Sequence, residues 1–188
     1  MADSTTTRQD LLQMFVNVSD AFPAFFTLMQ VLFALIGLLL LGQALFDVYS
    51  LNNEHVARRA GRSISASGVG WRFVTSIVLT GIVWWVDVTE NTLMGRDASS
   101  GAMLYQTVGM SEFQQAALMS IMMTFELVGY IAFGRGWLLL DKHFNGGNNG
   151  VASPIWHMLG GTVLVYLDVW LPAFGRWTGF DFVNILLF

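Results

Sequence analysis

Residues 22–46 read FPAFFTLMQVLFALIGLLLLGQALF, without one charged side chain. A helix needs about 20 mainly apolar residues to cross a hydrocarbon layer of ~30 Å. Only Thr27, Gln30 and Gln43 interrupt the apolar character of this stretch. The stretch therefore predicts a transmembrane helix.

The composition of the whole chain agrees with a membrane protein. Of its 188 residues, 54% are hydrophobic and 12% are charged, about half of the ~25% charged residues in soluble proteins. A chain of this size folded in water would cover its surface with charged groups. The absence of cysteine excludes disulfides, thiolate metal sites and cysteine nucleophiles. A net charge of −4 with a single lysine predicts no direct, sequence-specific binding of nucleic acid.

Three further stretches approach the length of a span, at about 71–88, 116–140 and 154–174. The predicted fold class is an all-α integral membrane protein. Four main transmembrane helices form two hairpins, with short N- and C-terminal interfacial helical segments. The predicted divisions are a tail with an interfacial helix (1–21), a first hairpin with a basic cytoplasmic loop (22–88), a non-cytoplasmic loop (89–115), a second hairpin (116–174) and a C-terminal interfacial or re-entrant segment (175–188).

Basic residues near the ends of the spans predict the orientation, because Lys and Arg resist translocation. The two connections within the hairpins are the more basic side, and the opposite side carries fewer. We therefore expect both termini in the periplasm and a location in a bacterial inner membrane. The basic residues of the first side are Arg58, Arg59, Arg62, Arg72, Arg135 and Lys142, and those of the second are Arg8, Arg96 and Arg176.

Glu126 lies near the centre of the third predicted span, where an ionised carboxylate costs several kcal/mol unless it is paired or faces water. One interpretation is a relay for protons or cations. The other, which we favour because relays usually use several carboxylates, is a polar contact between helices, to Gln30 or to a neighbouring subunit. Arg135, nine residues on, falls on the opposite helical face about 13 Å away and is expected to snorkel toward the cytoplasmic surface.

The sequence predicts no enzyme and no metal or cofactor site. Ser153 and His157 share a helical face, but Pro154 at a helix start makes Ser153 an expected N-cap. No second acid completes a triad, and no Gly-x-Ser-x-Gly motif occurs. The three histidines lack the paired spacing of zinc ligands. Bound phospholipid is the one small molecule that we expect.

Small residues predict close helix packing in the second hairpin. A small-xxx-small pattern allows two backbones to approach, either between the last two helices or between subunits. The loop 145–150, NGGNNG, has the composition of a turn that closes a hairpin. The residues that we expect to mediate self-association are Gly129, Ala132, Gly136, Gly160 and Gly161.

The most specific pattern lies within residues 125–169, about a quarter of the chain. It consists of ELVGY at 126–130, FGRGW at 133–137 and IWHMLGG at 155–161. This pattern resembles the DotE/IcmC family, called TraQ in IncI-type conjugation systems, whose members are small membrane components of type IVB secretion and conjugation machines. Family members often have an asparagine a few residues beyond the Gly-Gly pair, where this chain has Tyr166, so no role of that asparagine carries over.

The resemblance implies a structural, non-enzymatic subunit that self-assembles into a channel, platform or pilus-like polymer. Its implied partners are copies of itself, other membrane subunits of the machine and membrane phospholipid. Residues 22–88 are also similar in shape to the helical hairpins of type IV secretion pilins. Arg58, Arg59 and Arg62 would then line a lumen or hold lipid headgroups, and a polymerised protein would be extracellular. The alternative function is a small proton or ion conductor centred on Glu126.

Overall fold

A computed structural model describes residues 3–53, 65–94, 112–148 and 150–179. Every regular element in these ranges is an α-helix, so the predicted all-α class is confirmed for them. The loop that carries Arg58, Arg59 and Arg62 lies outside the described residues, as do 95–111 and 180–188. The helices are α1 (Asp3–Leu51), α2 (Ala66–Thr80), α3 (Ile82–Met94), α4 (Glu112–Phe144), α5 (Ala152–Val165) and α6 (Leu167–Thr178).

Two helices are long and apolar enough to cross a membrane on their own. They are the segments Ala21–Leu51 of α1 and Ala117–Phe144 of α4. Large apolar side chains such as Leu38 and Leu39 are exposed along α1, as expected where lipid replaces water as the solvent. The first and third predicted spans lie in these two helices.

The N-terminal tail is not a separate interfacial helix, so that prediction was wrong. Helix α1 begins at Asp3 and continues through Pro23 to Leu51. Proline removes one backbone hydrogen bond from a helix, but the helix resumes at once, and the Thr27 hydroxyl donates to the Pro23 carbonyl at 2.9 Å. The weakly periodic tail and the apolar run therefore share one helix.

The second predicted span, 71–88, is broken rather than continuous. Helices α2 and α3 meet at Gly81 and are bent by 98°. Gly81 has φ −112° and ψ 39°, which interrupts the helix for a single residue. Its N–H donates to the Ile77 carbonyl and its carbonyl accepts from the Trp85 N–H, both at 3.1 Å. Only the bent pair taken together is long enough to count as a span.

The fourth predicted span is also divided. Helix α5 has 14 residues and α6 has 12, each fewer than the ~20 that a straight crossing needs. Tyr166, with φ −106° and ψ 35°, separates them. Four continuous spans are therefore not confirmed: in its described part the chain has two helices that could cross a membrane, or three if the bent pair is one span.

Helices α1 and α4 run in the same direction. Phe26 stacks edge-on against Tyr130 with ring centroids 6.1 Å apart, and further along both helices the Phe33 ring covers Gly134. The core lies between α1, α2, α3 and α4. Its buried members are Met29, Phe33, Val78, Leu79, Ile82, Val86, Tyr130 and Phe133.

A glycine turn ends α4 and reverses the chain into α5. Gly146 adopts φ +94°, a conformation in which a Cβ would be strained. The Gly147 N–H donates to the Lys142 carbonyl at 2.8 Å and the Gly146 N–H to the His143 carbonyl at 3.4 Å. This is the bonding pattern of a Schellman C-cap. Helices α4 and α5 consequently pack antiparallel.

Candidate functional site

The first of two buried polar clusters joins α1, α2 and α4 through Arg72. Its guanidinium Nη1 donates to Oδ2 of Asp47, and its Nε lies 3.5 Å from Oδ1 of Asp141. Only 5% of Arg72, 1% of Asp47 and 7% of Asp141 is exposed. A buried charge is tolerated when it is paired and hydrogen-bonded, so we name these three residues the Arg72 cluster and assign it to holding the three helices together.

Asn145 extends this cluster to the backbone of α2. Its side-chain amide donates to Oδ1 of Asp141 at 2.9 Å and to the Gly68 carbonyl at 3.2 Å. A Cβ at Gly68 would lie 2.6 Å from Oδ1 of Asn145, so the glycine is required for this approach. Nearby, the rings of Trp71 and Phe144 stack with centroids 4.6 Å apart. The turn after α4 is thereby fixed to the start of α2.

The second cluster contains carboxylates from α3, α4 and α6. The Tyr166 hydroxyl donates to Oδ1 of Asp87, and the indole N–H of Trp170 donates to Oε2 of Glu90 at 3.3 Å. Glu126 interacts electrostatically with Asp87 and Asp168, and Glu90 also interacts with Asp168. We name Asp87, Glu90, Glu126 and Asp168 the acidic cluster.

Glu126 is therefore not an isolated carboxylate. Sequence reasoning favoured a helix contact because it found a single acid in the span, whereas the fold brings two more acids, Asp87 and Asp168, to Glu126. No Arg, Lys or His within the described ranges forms an ion pair with Asp87, Glu90 or Glu126. Carboxylates from three helices thus lie in one region of the fold.

Glu90 carries a buried carboxylate oxygen without a hydrogen-bond partner among the described residues. The residue is only 1% exposed, and the unpartnered oxygen is Oε1. A buried polar atom without a partner costs about 1–3 kcal/mol. An additional proton on this carboxyl group would remove its charge and reduce that cost.

Gln30 does not belong to this site. Its side chain is exposed on α1, at the edge of the face that carries the buried Met29 and Phe33. The expected polar contact between Gln30 and Glu126 is not formed. Phe26, Met29 and Phe33 form the part of α1 that meets the core, and Gln30, one turn from Phe26 and from Phe33, lies at the exposed border of this face.

Arg135 is exposed on α4, on the opposite side of the helix from Glu126, as their nine-residue spacing predicts. Arg135 makes no ion pair with any described residue. Its neighbours on this exposed side are apolar and include Val128 and Ile131. It is the one charged side chain of the FGRGW pattern, and the fold turns it outward.

The small residues of the second hairpin form a helix crossing within the chain. A Cβ at Gly129 would lie 2.7 Å from the Gly161 carbonyl oxygen, and one at Gly136 would lie 2.9 Å from the Pro154 carbonyl oxygen. Ala132 lies between these glycines on α4 and is half-buried. Gly160 is exposed, and a Cβ there would meet nothing within 4 Å. Self-association through these residues stays a prediction, and three of the five, Gly129, Gly136 and Gly161, serve the intramolecular crossing.

The geometry around Ser153 does not form a hydrolase site. The imidazole Nδ1 of His157 lies 2.8 Å from the backbone oxygen of Ser153, not from its hydroxyl. Ser153 is also not an N-cap, since α5 begins at Ala152 and its cap residue is Val151, so that prediction was wrong. Within the described ranges no group of three or more His, Cys, Asp or Glu side chains could hold a metal ion.

Sequence reasoning missed the Arg72 cluster. Arg72 was interpreted only as a determinant of orientation, and Asp47 and Asp141 were assigned no role. One signal was available: all three charges flank apolar stretches on the same predicted side of the membrane. Complementary charges at the same depth on different helices are candidates for pairing.

Comparison with known proteins identifies no relative of this chain: no protein-family model, no curated protein and no solved structure matches it. What the geometry defines, over the described residues, is an all-α protein with membrane-spanning character, a buried Arg72 cluster and a largely half-buried acidic cluster.

Proposed function

We propose that this protein is a non-enzymatic structural subunit of a membrane machine of the type IVB conjugation or secretion class. The observation that carries the proposal is the place of the pattern that resembles the DotE/IcmC family. Its small residues Gly129, Gly136 and Gly161 form the α4–α5 crossing, and its basic residue Arg135 faces outward. Residues that pack two helices together and residues that face outward are what a structural subunit of an assembly needs.

The proposed architecture has four crossings of a bacterial inner membrane, with both termini in the periplasm. Its support is the direction of the helices. Because α1 and α4 run in parallel, the chain between them has to return across the membrane if both span it. The bent pair α2–α3 lies on that return path, and α5–α6 returns antiparallel to α4.

The outer surface of α1 supports assembly. Leucines and aromatic residues are exposed along it over several turns, including Phe25, Leu35, Leu39 and Phe46. Such a surface faces lipid or other helices, and extended apolar patches mark interaction sites. Copies of this chain and other membrane subunits are the proposed partners. Arg58, Arg59 and Arg62 would line a lumen or hold phospholipid.

Deletion and complementation in the native host test the proposed function. Loss of the gene should abolish conjugative transfer or secretion, and the wild-type chain should restore it. Crosslinking in intact membranes should capture homo-oligomers or complexes with other machine subunits. Unimpaired transfer in the deletion strain, together with a monomer in the membrane, would contradict the proposal.

A second candidate function is the conduction of protons through the acidic cluster. The specific observation in its favour is that Asp87 and Asp168 interact with Glu126, and Glu90 with Asp168, because a relay needs several exchangeable sites. Purified protein in liposomes with an internal pH dye should then dissipate an imposed pH gradient. The variant Glu126→Gln should lose this flux, and Asp20→Asn, which removes an acid that is not in the cluster, should retain it.

The two candidates give different results in the same preparation. A wild-type flux that Glu126→Gln abolishes without affecting assembly would replace the structural proposal by the conductor. No flux from wild-type protein in sealed liposomes would exclude the conductor.

A further inference from the structure

We propose that the outward face of α4 binds the headgroup of an anionic phospholipid between Arg135 and Lys142. This inference is independent of the proposed function, because it rests on one exposed face and on the charges of the described residues.

Arg135 and Lys142 lie on one stripe of α4. Seven residues make almost two full turns, so the two side chains point within about 20° of each other and are separated by about 10.5 Å along the axis. Both are exposed. On the preceding turns the stripe continues with the exposed apolar residues Val128 and Ile131. The face thus combines two cations with an apolar surface.

Arg135 needs an anion that this part of the chain does not provide. It lies inside the apolar segment Ala117–Phe144, nine residues or about 13.5 Å before the end of the helix. A charged side chain at such a position is costly unless it is paired or reaches the interface. Neither Arg135 nor Lys142 forms an ion pair with another described residue.

A second copy of the described surface does not supply this anion either. Every acidic side chain whose exposure is described is buried or half-buried, and two of these acids already pair with Arg72. The described acids therefore have no exposed carboxylate to offer a neighbouring face. They are Asp47, Asp87, Glu90, Glu126, Asp141 and Asp168.

A lipid phosphate fits both the charge and the shape of the face. Guanidinium groups bind phosphate oxygens through paired hydrogen bonds, and the long stems of Arg and Lys let both charges reach toward one headgroup. The acyl chains would follow Val128 and Ile131. Trp156 on α5 lies at the same height as Arg135, because its neighbours Pro154 and Met158 contact Gly136 of α4. The Trp156 side chain is 72% exposed, and tryptophan is enriched near headgroups.

The test measures which lipid the full chain retains. Wild-type protein in nanodiscs of equal phosphatidylglycerol and phosphatidylcholine is released into mild detergent, and its bound lipids are counted by native mass spectrometry. The ratio of retained phosphatidylglycerol to phosphatidylcholine should fall about fivefold for each charge removed in Arg135→Gln and Arg135→Gln/Lys142→Gln. Arg135→Lys should keep most of the preference.

The matched control is Arg8→Gln/Arg176→Gln, which removes the same number of positive charges from α1 and α6. It should leave the lipid ratio unchanged, and all variants should unfold at the wild-type denaturant concentration. An equal loss in the control, or an unchanged ratio in the double variant of the α4 face, would overturn the proposal. A change of oligomeric state in Arg135→Gln with an unchanged lipid ratio would also overturn it, and would assign the anion to a protein partner.

Discussion

At the scale of single residues, Arg72 is the buried cation that pairs with two buried carboxylates. It is the cation that faces both Asp47 and Asp141, so its removal takes an ion-pair partner from two buried carboxylates. Breaking a buried ion pair by removing one partner typically costs about 3–5 kcal/mol, because the remaining charge is uncompensated.

We therefore expect Arg72→Met to lower the free energy of unfolding by about that amount, measured by denaturant titration in detergent micelles. The double variant Asp47→Asn/Arg72→Met should be less destabilised than Arg72→Met alone, because one stranded charge is gone. Arg135→Gln serves as a control, since it removes an exposed arginine and should have little effect. Equal effects of Arg72→Met and Arg135→Gln would show that the buried pair does not hold the helices together.

At the scale of helices, the α4–α5 crossing is the closest approach of two backbones among the glycine contacts described above. A Cβ at Gly161 would lie 2.6 Å from the Phe133 nitrogen and 2.7 Å from the Gly129 carbonyl oxygen. These are backbone atoms, which cannot turn aside as a flexible side chain would. The adjacent Gly160 has open space around it, so neighbouring glycines have opposite roles.

We expect Gly161→Ala to destabilise the protein by ~1–3 kcal/mol through overpacking, with reduced yield of folded protein in detergent. Gly160→Ala should be neutral or slightly stabilising, because alanine lowers the entropy of the unfolded chain without a clash. Thermal unfolding of the two variants side by side measures the difference. Similar unfolding temperatures for both variants would contradict the intramolecular crossing.

At the scale of the whole molecule, the topology depends on whether the bent pair α2–α3 crosses the membrane. If α1 and α4 both span it, their parallel directions require a return path, and we expect the basic first connection in the cytoplasm because Arg resists translocation. Reporter fusions should accordingly give a cytoplasmic signal after residue 60 and a periplasmic signal after residue 100.

Each other outcome of these fusions contradicts a different part of the architecture. Signals from the same side at both positions would make α2–α3 a re-entrant segment. The reverse pattern would invert the orientation. Fusions after the N-terminal residues give the control, and they should report the periplasmic side.

Several features followed from local composition alone. The membrane character, the apolar segments of α1 and α4 and the turn after α4 were predictable, because each depends on the residues within one stretch and on the length of a bilayer crossing. The small residues of α4 and α5 indicated a close crossing for the same reason, although the sequence left open whether it lies within one chain.

Other features depend on contacts between distant parts of the chain. Asp47 meets Arg72 across 25 positions, Asp87 meets Tyr166 across 79, and Glu90 meets Trp170 across 80. No local pattern encodes such partners. The bend at Gly81 is similar: its φ is negative, and a Cβ there would make only ordinary contacts at 3.8 Å and 3.9 Å, so glycine is not what the bend requires. The packing of α2 and α3 on the other helices fixes that angle, and this packing brings Asp87 of α3 to Glu126.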